Sequence, residues 1–164
     1  MQRIPKFVGG FTLLAVGLVV GWVFSTIGAG QEVPIASLTE LEREFVEEMR
    51  NVVLVGHFTV EGLEGRDGLP ERYEISRVTK LEGNRWRFNA RVTYASVDVT
   101  LPIVVPIVWA GDTPMVTITD FSIPGLGDEF GARVVFYDDR YAGTWDHGEY
   151  GGLMYGSIEP LDSD

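Results

Sequence analysis

The chain has 164 residues, no cysteine and a formal net charge of −11. Without cysteine there can be no disulfide, thiol catalysis, cysteine-ligated metal centre or lipidated cysteine, and the acidic balance argues against nucleic acid, whose binding rests on Lys and Arg neutralising phosphates. Beyond the N-terminal segment, about 130 residues remain, enough for one globular core.

After Arg3 and Lys6 the chain reads FVGGFTLLAVGLVVGWVFSTIGAGQ, residues 7–31, without a charge. At about 1.5 Å rise per residue such a run covers the roughly 30 Å hydrocarbon layer. Residues 1–30 therefore predict a transmembrane anchor, with residues 7–30 as the membrane partner. The competing reading is a cleaved signal peptide, whose apolar region is normally shorter and whose removal would leave a secreted domain. The positives precede the segment and acids follow it, so the N-terminus is expected in the cytoplasm and the domain in the periplasm, as a single-pass protein. Gly17 and Gly21 form a GxxxG pair that would let two helices approach closely, as in a homodimer.

Residues 31–36, QEVPIA, read as a linker, because Pro34 discourages a helix continuous with the anchor. A domain over residues 37–160 then opens with SLTELEREFVEEMRN. Ser37 with Glu40 matches a capping box, and Leu38, Leu41, Phe45, Met49 and Val52 recur at three- and four-residue steps. This predicts one amphipathic helix over residues 37–51 with its apolar stripe in the core.

From residue 52 the period changes to two. VVLVGHFTVEG and ERYEISRVTKL read as strands around the turn-rich LEGRDGLP. RWRFNARVTY puts Trp86, Phe88, Ala90, Val92 and Tyr94 on one face and Arg85, Arg87, Asn89, Arg91 and Thr93 on the other, as in a half-buried antiparallel strand. SVDVTLPIVVPIVW continues extended, but Pro102 and Pro106 donate no ladder hydrogen bonds, so the strand is expected to be edged, bulged or broken there. MVTITDFSI, ARVVFYDD, RYAGTWD and GGLMYGSIE add further strands, separated by AGDTP, a glycine-rich loop PGLGDEFG and the reversal DHGEYGG. Eight to nine strands after one helix, with no helical crossover, predict a mainly β fold: an antiparallel barrel or a sandwich, between which alternation does not decide. Residues 161–164 are expected to be a disordered tail.

The closing stretch YAGTWDHGEYGGLMYGSIE, with G-x-W, a turn, GG and G-x-I, resembles the hairpins of calycin-like, lipocalin-type barrels. WAGDTP, IPGLG, RVVFY and YAGTW together resemble a set of uncharacterised membrane-anchored proteins of planctomycete-type bacteria. That resemblance spans most of residues 40–160 and implies topology and location. No activity comes with it.

No nucleophile elbow, Walker loop or dinucleotide fingerprint occurs, so no cofactor and no catalytic motif is expected. The leading expectation is a non-enzymatic, membrane-anchored module whose barrel binds a small apolar ligand, lipid or protein partner. An interior cavity would be lined by Trp86, Phe88, Tyr94, Trp145 and Tyr155. The alternative is an exported hydrolase acting on cell-envelope glycans, with Asp146, His147 and Glu149 as its constellation at the last turn. Asp112, Asp120, Asp128, Glu129, Asp138 and Asp139 fit turn chemistry better than a carboxylate pair, and His57 fits a strand position. Six basic residues in 71–96 against three acids give a local +3, and twelve acids against two arginines in 97–164 a local −10. The basic side reads either as a solvated strand face or as a patch for an anionic ligand.

Overall fold

The computed structural model describes residues 30–62, 68–94, 97–123 and 127–161. The expected anchor, its glycine pair and residues 162–164 lie outside them. Among the described residues no helix is long and apolar enough to cross a membrane.

Helix α1 spans Glu40–Glu48 and is preceded by a single 3-10 turn, Ile35–Ser37. Its capping box is Thr39 with Glu42: the Glu42 amide donates to the Thr39 hydroxyl and the Thr39 amide donates to the Glu42 carboxylate. The expected Ser37–Glu40 box is thus displaced by two residues, because the 3-10 turn occupies Ser37 and helical geometry begins later. Within the short linker 31–36, two residues pair with the barrel. Val33 donates its amide to the Lys80 carbonyl at 3.0 Å, and Glu32 bridges to Leu81.

Eight strands follow: β1 (Val52–Phe58), β2 (Leu69–Lys80), β3 (Arg85–Tyr94), β4 (Val97–Ala110), β5 (Thr113–Ile123), β6 (Gly127–Tyr137), β7 (Arg140–His147) and β8 (Tyr150–Pro160). Each pairs antiparallel with the next, and β1 pairs with β8, so the sheet closes as an up-and-down barrel. Closure removes the free edges that a sandwich leaves. The turn at Asp138 and Asp139 carries φ of 51° and 56°, the paired positive values of a type I′ hairpin that Asp tolerates. Part of the expected loop PGLGDEFG is strand, with Glu129 at φ 64° marking an irregular position in β6.

The prolines of β4 act on one side only. Its ladder with β3 runs unbroken from Val97 to Pro106, whereas its ladder with β5 holds only four pairs, Ile107↔Val116 to Ala110↔Thr113. The Ile107 amide donates to the Asn84 carbonyl, on the β3 side. By alternation Pro102 and Pro106 therefore face β5, where each lacks the amide that would extend the ladder. The barrel wall has a seam between β4 and β5 that runs from Pro106 back toward Val97, on the side of the β5 bulge at Asp120.

One end of the barrel is filled by α1. Phe45, 2% exposed, meets Trp86, Phe88, Trp109 and Phe136 at ring-centroid distances of 5.4, 6.3, 5.8 and 6.2 Å. Leu38, Val46 and Met49 complete this plug. Residues 30–33 dock beside the same end, where Gly30 packs on Leu81. At its far end the chain is tied back through the Leu161 amide to the Asn51 carbonyl, so the first residue of the expected tail is ordered.

Candidate functional site

Above the plug the eight strands no longer fill their interior. A cavity of about 340 Å³ remains, walled by Leu54, Ile75, Phe88, Val105, Val116, Val134 and other apolar side chains. An eight-stranded barrel has room either for packed side chains or for one small ligand, and this one is divided between the two. Around the unplugged end stand Phe58, Phe121, Phe130, Trp145 and His147, all lining the cavity. Phe130 stacks on the His147 imidazole with centroids 4.0 Å apart, and Phe58 meets Trp145 edge-on at 5.8 Å.

Glycines hold this collar in place. Trp145 Nε1 donates to the Thr59 carbonyl at 3.0 Å, and an added Cβ at Gly152 would lie 2.1 Å from that same carbonyl oxygen. Only glycine at 152 lets the Thr59 backbone come close enough to fix the indole. Gly56 and Gly156 are register partners on β1 and β8, and together they form the slot for the Tyr141 ring. An added Cβ at either would sit 2.3 Å from the Tyr141 hydroxyl or 2.7 Å from its Cε1.

Tyr141 leads to a polar cluster on the cavity's inner wall that the sequence did not single out. Glu71, only 5% exposed, accepts a hydrogen bond from Tyr73 at Oε2 (2.7 Å) and another from Tyr141 at Oε1 (2.8 Å). All three residues line the cavity. Burial pushes the Glu71 carboxyl above its ordinary range; the two hydroxyls, and more weakly His57, pull it back without cancelling the rise. Tyr141 is raised as well, by burial first and then by the Glu71 charge it faces.

The structure distributes the expected lining residues unevenly. Phe88 and Trp145 line the cavity. Trp86 is 0% exposed and sealed beneath Phe45, with Lys80 Nζ 5.1 Å from its ring, so it belongs to the plug. Tyr155 is 48% exposed and lies on the outer wall beside His57, because Met154, Gly156 and Ile158 take the inner face of β8. Tyr94 has only its backbone among the described atoms.

Asp146 and His147 do not form a joint site. They are strand residues of β7, where the expected loop has shrunk to the turn at Gly148 and Glu149. Neighbours on a strand point to opposite faces: His147 turns in against Phe130, while the exposed Asp146 carboxylate lies over Gly131, and both Asp146 and Gly131 border the cavity at its mouth. Among the described residues no group of three His, Asp or Glu side chains is placed to hold a metal ion.

The basic stretch 71–96 is largely paired. Arg72 bonds Glu74, Arg91 forms a two-point pair with Asp98, and Lys80 and Arg87 pair with Glu42 and Glu32. Arg91 holds the Asp98 carboxyl below its usual range. Burial alone would raise Glu42, but hydrogen bonds from Lys80 and Thr39 outweigh it and hold this carboxyl low. These contacts favour the solvated strand face over an anion site. No family model matches the chain, and no curated protein or solved structure shows a significant match to it.

Proposed function

We propose that this chain is a non-enzymatic binding module: an extracytoplasmic β-barrel, held at the membrane by residues 7–30, that takes a small apolar molecule or a single lipid chain into its open half. The observation that carries this reading is the apolar cavity of about 340 Å³, collared by aromatic side chains in a barrel whose other half is solidly packed. Its size lies at the small end of ligand pockets. Allowing roughly 30 Å³ per non-hydrogen atom, the share of one water in the liquid, it accommodates about eleven such atoms. That residues 30–33 dock at the plugged end supports a mouth turned away from the membrane. The ligand then exchanges with the periplasmic side.

The hydrolase reading draws no support from the rim, where Asp146 and His147 face opposite sides of the wall. Glycoside cleavage needs two carboxyl groups facing one substrate across roughly 5–9.5 Å. To test the binding reading, the full chain is incubated with a lipid extract of its source cells and released from detergent micelles for native mass spectrometry. A discrete adduct that weakens at least tenfold in Trp145→Ala, with Leu153→Ala on the outer wall as control, is the expected result. A bare chain under the same conditions would remove the proposal.

A further inference from the structure

Glu71 is out of place in an apolar barrel interior. A buried carboxylate contributes less to stability than an apolar side chain of the same shape would, so its presence on the cavity wall calls for a compensating role. None of the ion pairs among the described residues involves it. Its hydrogen bonding is also one-sided. A carboxylate offers about four acceptor positions, of which Tyr73 and Tyr141 take two, one on each oxygen. Each tyrosine has spent its only proton on Glu71, so the polar capacity this cluster still presents to the cavity is acceptor capacity.

We infer that the Glu71–Tyr73–Tyr141 cluster is the head-group site of the cavity and selects a ligand with an apolar body ending in a protonated amine. This deepens the binding reading above and depends on it. The acceptor positions left on Glu71 and on the two hydroxyl oxygens suit an ammonium with its three donors, and the ligand's charge supplies the partner that the protein withholds. The apolar walls and the aromatic collar enclose the rest of the molecule. An acid head would meet acceptors only and a carboxylate of its own sign, and an alcohol has a single proton to offer. The glycine slot at Gly56 and Gly156 serves the same end, because it seats the Tyr141 ring against the wall with its hydroxyl on Glu71.

The test compares three probes of one chain length, decylamine, decanol and decanoate, whose sizes match the cavity. Each is titrated calorimetrically into the full chain in lipid nanodiscs at pH 7, with empty nanodiscs as the blank. Decylamine is expected to bind roughly 10- to 100-fold more tightly than decanol, the range for a hydrogen bond to a charged group, and decanoate most weakly. Glu71→Gln should abolish the amine preference, bringing decylamine down to the level of decanol in the same variant, and Tyr141→Phe should weaken decylamine with Glu71 retained. If decanol and decanoate bind as well as decylamine, the head-group inference fails and the binding cavity stands. If no probe binds above the blank, the binding reading itself fails. Should Glu71→Gln not fold, Tyr73→Phe, which removes one donor and keeps the carboxyl, provides the second variant; amine selectivity unchanged there and in Tyr141→Phe would overturn the inference.

Discussion

Replacing Phe45 tests whether α1 is a plug or an appendage. Its ring is 2% exposed and touches four other aromatic rings, two of them in edge-on contact with centroids under 6 Å. Truncating a buried Phe to Ala typically costs about 3–5 kcal/mol through lost transfer energy and the cavity left behind. Aromatic pairs add roughly 0.5–1.5 kcal/mol each beyond area, and the strand rings cannot collapse into the gap without breaking the ladder, so the upper part of that range applies. For a domain of this size each kcal/mol shifts Tm by about 3–5 °C, so Phe45→Ala should lower it by about 12–20 °C. The assay is thermal unfolding of the full chain followed by near-UV circular dichroism, which also reports the asymmetric packing of Trp86 and Trp109. Leu153→Ala, at an outer-wall position 52% exposed, should stay within about 0.5 kcal/mol of the parent. A Phe45→Ala loss no larger than that control would show that the helix does not close the barrel.

Three further outcomes follow from the same geometry. Thr39→Ala should cost about 1 kcal/mol in urea denaturation and Ser37→Ala under about 0.5, separating the observed cap from the one that spacing suggests; equal effects would contradict the assignment. Gly152→Ala forces a Cβ to 2.1 Å from a backbone oxygen and should destabilise by roughly 1–3 kcal/mol or more, with loss of the Trp145–Thr59 bond seen as altered indole fluorescence; an unperturbed variant would mean the collar is not seated as described. Glu71 holds its proton to higher pH when folded than in the unfolded chain, where it titrates near 4.5. The folded state therefore binds more protons above that value, and stability falls as pH rises from about 4.5 through the raised carboxyl value, then levels off. Urea midpoints of the parent and Glu71→Gln across this interval should diverge in favour of the Gln variant with rising pH; parallel curves would refute the shift.

Much of the fold is legible in the period-two alternation, and the reasons it stops short are specific. Trp86 to Val92 alternate cleanly, but the pattern says only that Trp86 is inward, not that a helix distant in sequence covers it while Phe88, two residues later, borders a cavity. Pro102 and Pro106 announce a broken edge, yet which neighbour is lost depends on the parity set by Ile107 and Asn84 across the ladder. The hairpin of β7 and β8 reads correctly as a hairpin. Its faces do not, because in β8 glycines at 152 and 156 share the inner face with Met154, which leaves the bulky Leu153 and Tyr155 outside, against the usual rule of size. The Glu71 cluster left a trace that counting charges conceals: Glu71, Tyr73 and Ile75 share one parity, so a carboxylate sits on the apolar face of its own strand. Its second tyrosine comes from seventy residues away and appears only once the barrel is closed.

The central claim is that the open half of the barrel is a binding cavity, and filling it tests this most directly. Ala132 lines the cavity opposite Trp145 in the β6–β7 register, so Ala132→Phe projects a ring into the space. The measurement is decanol binding by the parent and by Ala132→Phe, both as full chains in nanodiscs, with Tm recorded for each. The account predicts that the variant keeps or gains stability and loses binding at least tenfold. A variant destabilised by about 1–3 kcal/mol, as overpacking of a filled core would give, or one that binds decanol as the parent does, would contradict it.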